Sequence, residues 1–436
     1  MPMNAMRAWG VAGLLGSGFL GCTHAETAPA TRVTTATGTV ELPAPYTTDS
    51  VRQFSKVVGW PEGKAPVAEG FTVSRYATGL VSPRNLYVTP NGDVLVAEAN
   101  TELRGLMKLG AKLVGYSASQ RTGPSANRIT LLRDADHDGV PETRTVFLSG
   151  LNQPFGMWVL GDSFYVANTD ALWRYPYRPG DTAITGEGKK ILELPAGGYN
   201  NHWTRNLLGN PEGTKLYVSV GSGSNVGEHG LSNEVRRANV LELNPDGSGE
   251  RIYASGLRNP VGLRFAPGTR VLWTAVNERD ELGDELVPDY LTHVEDGGFY
   301  GWPFSYFGAH LDPRVKEQDP ERVKRALVPD VPLGSHTASL GLAFNEGTMF
   351  PERFRGGAFI GQHGSWNRSK LSGYQVVFVP FSNGQPTGAP EPFLTGFIQD
   401  VDKREVHGRP VGVTFLPDGA LLVADDAGDT VWRVSR

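Results

Sequence analysis

The chain has 436 residues, a net charge of −5, 55 glycines, 31 prolines and one cysteine. An acidic balance without a basic block argues against a nucleic-acid partner, and a lone cysteine excludes an intrachain disulfide. Abundant glycine and proline with few runs of helical period predict an all-β chain of short strands and tight turns.

Residues 1–22 read as an export signal. Arg7 supplies the charge, Trp9–Leu20 is apolar, and Phe19-Leu20-Gly21-Cys22 closes it. The run is too short to span a membrane, which takes about 20 apolar residues. Cys22 after Gly21 resembles the end of a bacterial lipoprotein signal, with Phe19 where leucine is usual. The expectation is an exported, periplasmic protein anchored through an acylated Cys22. Residues 23–64, rich in alanine, threonine and proline, read as a flexible tether, which leaves 65–436 as the folded domain.

From residue 71 one phrase recurs: Gly-Leu-x-x-Pro, a strand, a turn with glycine, and a returning strand. Its copies are Gly79–Val88 with Val94–Glu98, Gly150–Val159 with Phe164–Thr169, His202–Leu208 with Lys215–Gly221, Gly256–Phe265 with Val271–Asn277, Ala338–Phe344 with Gly357–Gly361, and Gly408–Phe415 with Ala420–Asp425. Further strand-like runs (Arg128–Leu132, Leu172–Tyr177, Tyr374–Pro380) fill the gaps. Such a repeat predicts a six-bladed β-propeller of four-stranded antiparallel blades. In a propeller, residues before each first strand and after each second strand share one rim around the axis. That rim is the expected site.

The rim so predicted carries Arg258, Arg279 and Arg409 with His202, His363 and His407. Forked arginine donors in an acidic protein suit a small polyanion; the alternative is that each arginine pairs with a rim carboxylate such as Asp280, Glu285 or Asp425. His202, just before a first strand, is the sharpest candidate for a general base. The loop Glu278–Asp289, with Asp280, Glu281, Asp284, Glu285 and Asp289, offers oxygens of the kind Ca²⁺ requires. A second acidic run, Asp134-Ala135-Asp136-His137-Asp138-Gly139, begins like a calcium loop but has Thr145 where an EF-hand has its bidentate glutamate. It reads as a structural Ca²⁺ loop or a plain polar turn.

GLRNPVGL, NERDELGDEL, YGWP, GSHTASLG, QHGSWNR and HGRPVGV, in that order, resemble the soluble pyrroloquinoline-quinone (PQQ)-dependent sugar dehydrogenases, and most of all the sorbosone dehydrogenase branch, over roughly 65–436. The resemblance implies a six-bladed propeller holding PQQ and Ca²⁺ at its central mouth. It places His202 as catalytic base and Arg258 with Asn259 beside the quinone. It puts Arg279 and Asp280 at the carbonyls that hold the cofactor's Ca²⁺, and Asp284, Glu285 and Tyr300 at a second calcium site. His407 and Arg409 fall where relatives carry two arginines against the quinone's carboxylates. His363, Asn367 and Arg368 stand in the region of a family lysine that has no counterpart here.

The activity expected is oxidation of an aldose or aldehyde at C1. His202 takes the hydroxyl proton, hydride passes to PQQ, and Arg258 with Ca²⁺ polarises the accepting carbonyl. Electrons then pass to a periplasmic acceptor. The alternative is a lactonase-like or non-catalytic propeller.

Overall fold

The computed structural model describes residues 30–102, 116–119 and 124–436. Among these, six four-stranded antiparallel sheets dominate. Their first two strands are Pro83–Val88/Val94–Glu98, Gly156–Leu160/Ser163–Ala167, Arg205–Gly209/Leu216–Val220, Pro260–Phe265/Leu272–Val276, Ser339–Phe344/Ala358–Gln362 and Pro410–Phe415/Leu421–Asp425, numbered here sheets one to six. Each pair falls within one copy of the sequence phrase. The fourth strand of sheet six is Thr72–Ala77, so the N-terminal end of the domain completes the sheet begun by its C-terminal end. The architecture is all-β, with the sheets set as the blades of a β-propeller. No helix among the described residues is long and apolar enough to cross a membrane.

One residue among the first three of each first strand explains how the sheets meet. In sheets two, four, five and six it is glycine: a Cβ on Gly156 would stand 2.4 Å from Leu207 N, one on Gly262 2.5 Å from Leu342 Cβ, one on Gly341 2.3 Å from Val411 O, and one on Gly412 2.7 Å from Arg84 O. Only glycine permits that backbone approach. Sheets one and three have asparagine instead, and its amide reaches across: Asn85 Nδ2 donates to Phe155 O (3.0 Å) and Asn206 Nδ2 to Val261 O (2.6 Å). Glycine contact and asparagine bridge together link each sheet to the next and the sixth back to the first. The preceding residues Phe155, Val261, Leu340 and Val411 form a buried apolar cluster on the axis. In the two asparagine copies that position is Arg84 or Arg205.

The tether expected over 23–64 is corrected for residues 30–64, which are packed. Thr31–Thr35 pairs with Gly38–Leu42, and Val33 and Leu42 are buried in a cluster with Leu263, Leu272 and Tyr290. Tyr46 N donates to Leu282 O and Gln53 N to Trp366 O, both at 2.8 Å. Lys56–Val57 lies parallel to Glu405–Val406, and Trp60 Nε1 donates to Asp425 (2.7 Å). A few apolar side chains, each with its own cleft, outweigh a loop-like average composition. Cys22 and the rest of the export signal lie outside the described residues.

Candidate active site

Where the first strands enter from the mouth, a cavity of about 440 Å³ opens. His202, Trp203, Asn259, Asp280, His363 and Arg409 line it, with Arg84, Asn225, Tyr199 and Trp366, and with Arg52 and Phe54 from the N-terminal segment. Its apolar floor is the axial cluster, of which Leu340 touches the cavity.

His202 is 9 % exposed. Its Nδ1 lies 2.9 Å from Ser222 O and 3.0 Å from Ser222 Oγ. A backbone carbonyl can only accept, so Nδ1 carries the proton and Nε2 is left with a lone pair. The loop before it is gripped by buried guanidinium groups: Arg205 donates to His202 O (2.6 Å) and Pro195 O (2.7 Å), and both Arg205 and Arg237 donate to Asn200 Oδ1 (2.9 and 2.6 Å). Burial, then the Arg258 cation, pulls the His202 pKa down to about 3. It is therefore neutral at any ordinary pH.

Arg258 is not at the cavity wall. It stands behind Asn225 and Asp280, with Nη2 on Asp280 Oδ2 (2.8 Å) and Asn225 Oδ1 (3.0 Å) and Nη1 on Glu278 O (2.7 Å). Burial opposes the charge on Asp280, but Arg258 and His336 outweigh it and hold the carboxyl well below the usual range. Asn367 Nδ2 holds the other Asp280 oxygen at 2.7 Å. The alternative of an arginine spent on a rim carboxylate is thus realised at Arg258, and again at Arg279, whose Nε lies 2.7 Å from Asp312. The Asp280 carbonyl is already bonded by Asn225 Nδ2 and by Arg279 Nη1. Beside them, burial raises the Glu278 carboxyl to about 7.

Arg409 behaves differently. Its guanidinium donates to three backbone carbonyls, His363 O, Gly364 O and Ser119 O, at 2.9–3.0 Å. No carboxylate pairs with it among the described residues. Next to it, His363 Nε2 lies 2.9 Å from Asp426, which also accepts from Arg84 Nη1 (2.5 Å). Burial and Arg409 pull the His363 pKa down to about 4. Arg84 and Asp426 are site residues that a reading by motif passes over. Arg84 sits at the axial position of its copy, and Asp426 stands one residue past the predicted strand end.

Three expected placements are corrected. His407 is fully buried under the N-terminal segment, with Nδ1 on Gly59 O (2.7 Å) and its ring 4.8 Å from that of Trp60, and it does not line the cavity. Tyr300 does not join Asp284 and Glu285. Its hydroxyl donates to His293 O (2.6 Å), at the far end of the strand Pro288–His293 from the acidic loop, about 17 Å along it at ~3.4 Å per residue. The Asp284 carboxylate is taken by Ser369, and that of Glu285 by Arg368. The run Asp134, Asp136, Asp138 does gather its carboxylates, joined by Glu142, with oxygens within 4.8 Å of one another. It does so between Arg128–Arg133 and Thr143–Leu148, at the ends of those strands away from the mouth.

A planar polyanion fits the cavity. Among the described residues no carboxylate pairs with Arg409, Trp203 and Trp366 supply flat walls, and the buried Asn259 Oδ1, without a hydrogen bond, is open to a donor N–H or O–H of the bound group. The second calcium site inferred from Asp284, Glu285 and Tyr300 does not fit, since its donors are apart and engaged.

A TrAA12-like family model matches residues 65–289 and 305–436. A PQQ-dependent pyranose dehydrogenase of Coprinopsis cinerea is 23% identical over 438 aligned positions, covering 86% of this chain and 55% of that protein. An uncharacterized protein of Borreliella burgdorferi is 31% identical over 244 residues, 55% of this chain and 62% of its own length. The chain thus matches only part, a little over half, of these relatives' lengths. Among solved structures, the holo form of the Coprinopsis cinerea pyranose dehydrogenase PQQ domain is similar with a TM-score of 0.67 and 19% identity, over 88% of this chain and all of that one. A calcium structure of a Trichoderma reesei family AA12 enzyme gives 0.68 and 19%, over 87% and 98%. The PQQ-bound aldose sugar dehydrogenase of Streptomyces coelicolor gives 0.55 and 17%, over 85% and 99%. With its strands, its axial ring and its matched residues in agreement, the chain belongs to the TrAA12-like family.

Proposed function

We propose that this protein is a quinoprotein dehydrogenase, a six-bladed propeller that oxidises a sugar hydroxyl or aldehyde at C1 with PQQ as acceptor. The observation that carries the reading is the pairing, in one cavity, of a neutral His202 and an Arg409, with Nε2 of the first unbonded and no carboxylate on the second among the described residues. The names of the relatives support the cofactor. When bound, PQQ supplies a two-electron acceptor for hydride.

This chain's residues do the rest. Ser222 fixes the His202 tautomer, and the arginine-held loop fixes its place, so Nε2 accepts the hydroxyl proton without reorganisation. A pKa near 3 makes the empty-site imidazole a weak base. A polyanion seated against Arg409 adds negative charge nearby and raises its proton affinity. Arg258 keeps Asp280 ionised and in place at the wall. Asn259, its Oδ1 unpaired, offers an amide to the cofactor or the substrate.

Calcium belongs to the proposal through the calcium structure of a relative, and the acidic loop at Asp134 is its separate candidate. Export, a periplasmic acceptor and acylation of Cys22 belong to it through the sequence of residues 1–22. The deciding experiment is a titration of purified protein with PQQ, with and without Ca²⁺, followed by dye reduction against sugars and aldehydes. Saturable quinone binding with sugar-dependent reduction is expected; no quinone binding in either condition would falsify the reading. Mass spectrometry of the mature N-terminus should find a diacylglyceryl group on Cys22, and an unmodified start downstream would remove the anchor.

A further inference from the structure

Beside Arg409 the cavity holds a second imidazole, in surroundings unlike those of His202. His363 lines the cavity, and its Nε2 lies 2.9 and 3.0 Å from the two oxygens of Asp426. Burial opposes the charge on Asp426, but His363 and Arg84 outweigh it and hold that carboxyl well below the usual range. An ionised carboxylate can only accept, so Nε2 carries the proton and Nδ1 the lone pair. No described residue donates to that Nδ1. Guanidinium groups flank the ring. Arg409 spends Nε and one N–H of each Nη on backbone carbonyls, which leaves the second N–H of each Nη. Arg84 also lines the cavity; its Nη1 bonds Asp426, and its Nε is buried without a hydrogen bond. Arg84 and Arg409 bring two positive charges and Asp426 one negative, which leaves one positive charge in excess.

We propose that Arg84, His363 and Arg409 form a carboxylate subsite in which His363, backed by Asp426, takes a proton from solvent as the carboxylate seats and so becomes an N–H donor to it. The inference rests on the polyanion reading of the cavity and adds how the site is charged. The charged groups facing His363 are Asp426 and Arg409, from the two ends of the first strand pair of sheet six, and Arg84 of sheet one. In the ligand-free protein, burial and then Arg409 pull the His363 pKa down to about 4, so the ring is neutral at ordinary pH. A seated carboxylate offsets Arg409 and faces the ring itself, and an opposite charge that close raises a histidine by about one to three units. The proton goes to Nδ1, and the imidazolium then lies between two carboxylates, that of Asp426 and that of the ligand. His202 meets the same anion but receives a proton less readily, because its Nδ1 faces the neutral Ser222 carbonyl and Arg258 stands near it. A carboxylate on the far nitrogen stabilises an imidazolium more than a carbonyl does. His363 thus binds as a cation while His202 stays the open base.

Calorimetric titration of the full protein in buffers of different ionisation enthalpy counts the protons, without sugar and without turnover. The probes are PQQ and isophthalate, a planar dicarboxylate with no redox chemistry of its own. A rise of about two units implies most of one proton taken up per ligand at about pH 5, and binding about ten-fold tighter at about pH 5 than at about pH 8. Because the pKa is raised by binding, affinity strengthens as pH falls through the liganded value and levels off below the ligand-free value of about 4. His363→Gln should lose both the uptake and the slope, and His202→Gln should keep both; the probe's own titration is common to all three proteins and cancels. Asp426→Asn, which removes the counter-charge, should cut the uptake. Uptake by His363→Gln equal to that of wild type, loss of uptake in His202→Gln alone, or binding of neither probe overturns the subsite. Isophthalate binding with proton uptake but no PQQ binding leaves the subsite standing and removes the quinoprotein reading. PQQ binding with sugar-dependent reduction and no proton uptake does the reverse.

Discussion

The approaches to the mouth over sheets three and six carry one histidine each, those over sheets four and six one arginine each, and the two histidines end in different surroundings. His202 stands four residues before the axial Asn206, and His407 five before the axial Gly412. His202 faces the cavity, whereas His407 is packed beneath Trp60. The arginines divide as well. Arg258, four before Gly262, is consumed by Asp280, whereas Arg409, three before Gly412, lines the cavity and, among the described residues, donates only to backbone carbonyls. The same offset of four residues gives a cavity-facing His202 and an enclosed Arg258, so the groups packed around a side chain, more than its place in the repeat, decide which polar group meets a ligand.

The sharpest way to break the comparison is to remove each histidine. His202→Ala should lower kcat by about 10²–10⁴-fold, or 3–5 kcal/mol of barrier, at saturating quinone. His407→Ala should keep kcat within a few-fold. If His407→Ala were the variant that lost turnover, the assignment of His202 as the base would fail.

The arginines provide the next test. Arg258→Ala strands an ionised Asp280 in the interior and should cost about 3–5 kcal/mol of stability in urea unfolding. Arg409→Ala should instead weaken quinone binding by about 10–100-fold, the worth of one or two charge-assisted hydrogen bonds, with a much smaller change in stability. A melt and a quinone titration on both variants separate the two roles.

Acid should affect stability more than protonation of the base in turnover. The folded-state pKa values of His202 and His363, about 3 and 4, lie below their unfolded value. The unfolded chain therefore binds more protons across that interval, and stability should fall as pH drops from about 6.5 towards 4. Replacing His363 with Gln should flatten part of that slope. In the ligand-free protein His202 stays neutral down to about pH 3; kcat reports the liganded enzyme, so an inflection above that pH measures how far the seated polyanion raises its pKa. The smallest effect expected is that of His407→Ala on stability, about 1 kcal/mol for a lost hydrogen bond and ring contact, read from the same melts.

Much of the fold was legible because the repeat is a physical requirement. Glycine or asparagine must recur wherever first strands meet, and proline and glycine wherever they turn, so all six strand pairs could be placed from residues 79–425. The site was legible only in part. His202, Asn259, Asp280, His363 and Arg409 are brought to one cavity. His407 and Tyr300 are not, because a motif gives the neighbourhood of a side chain but not the direction it points. Arg52 and Phe54 left no signal: they sit in a segment whose average composition is that of a loop, and only the cleft each enters makes it structural.

The zipper between Thr72–Ala77 and Thr430–Ser435 has a consequence for how the molecule comes into being. Thr72–Ala77 waits for Thr430–Ser435, and until they join, sheet six has a bare edge beside Trp432. Arg409 and His363 acquire their setting only once that seam is closed, so neither half of the chain can hold the ligand alone. Loading of the cavity then follows closure of the ring, and a ligand that binds only the closed ring acts as its clasp, adding stability as its concentration rises above its dissociation constant.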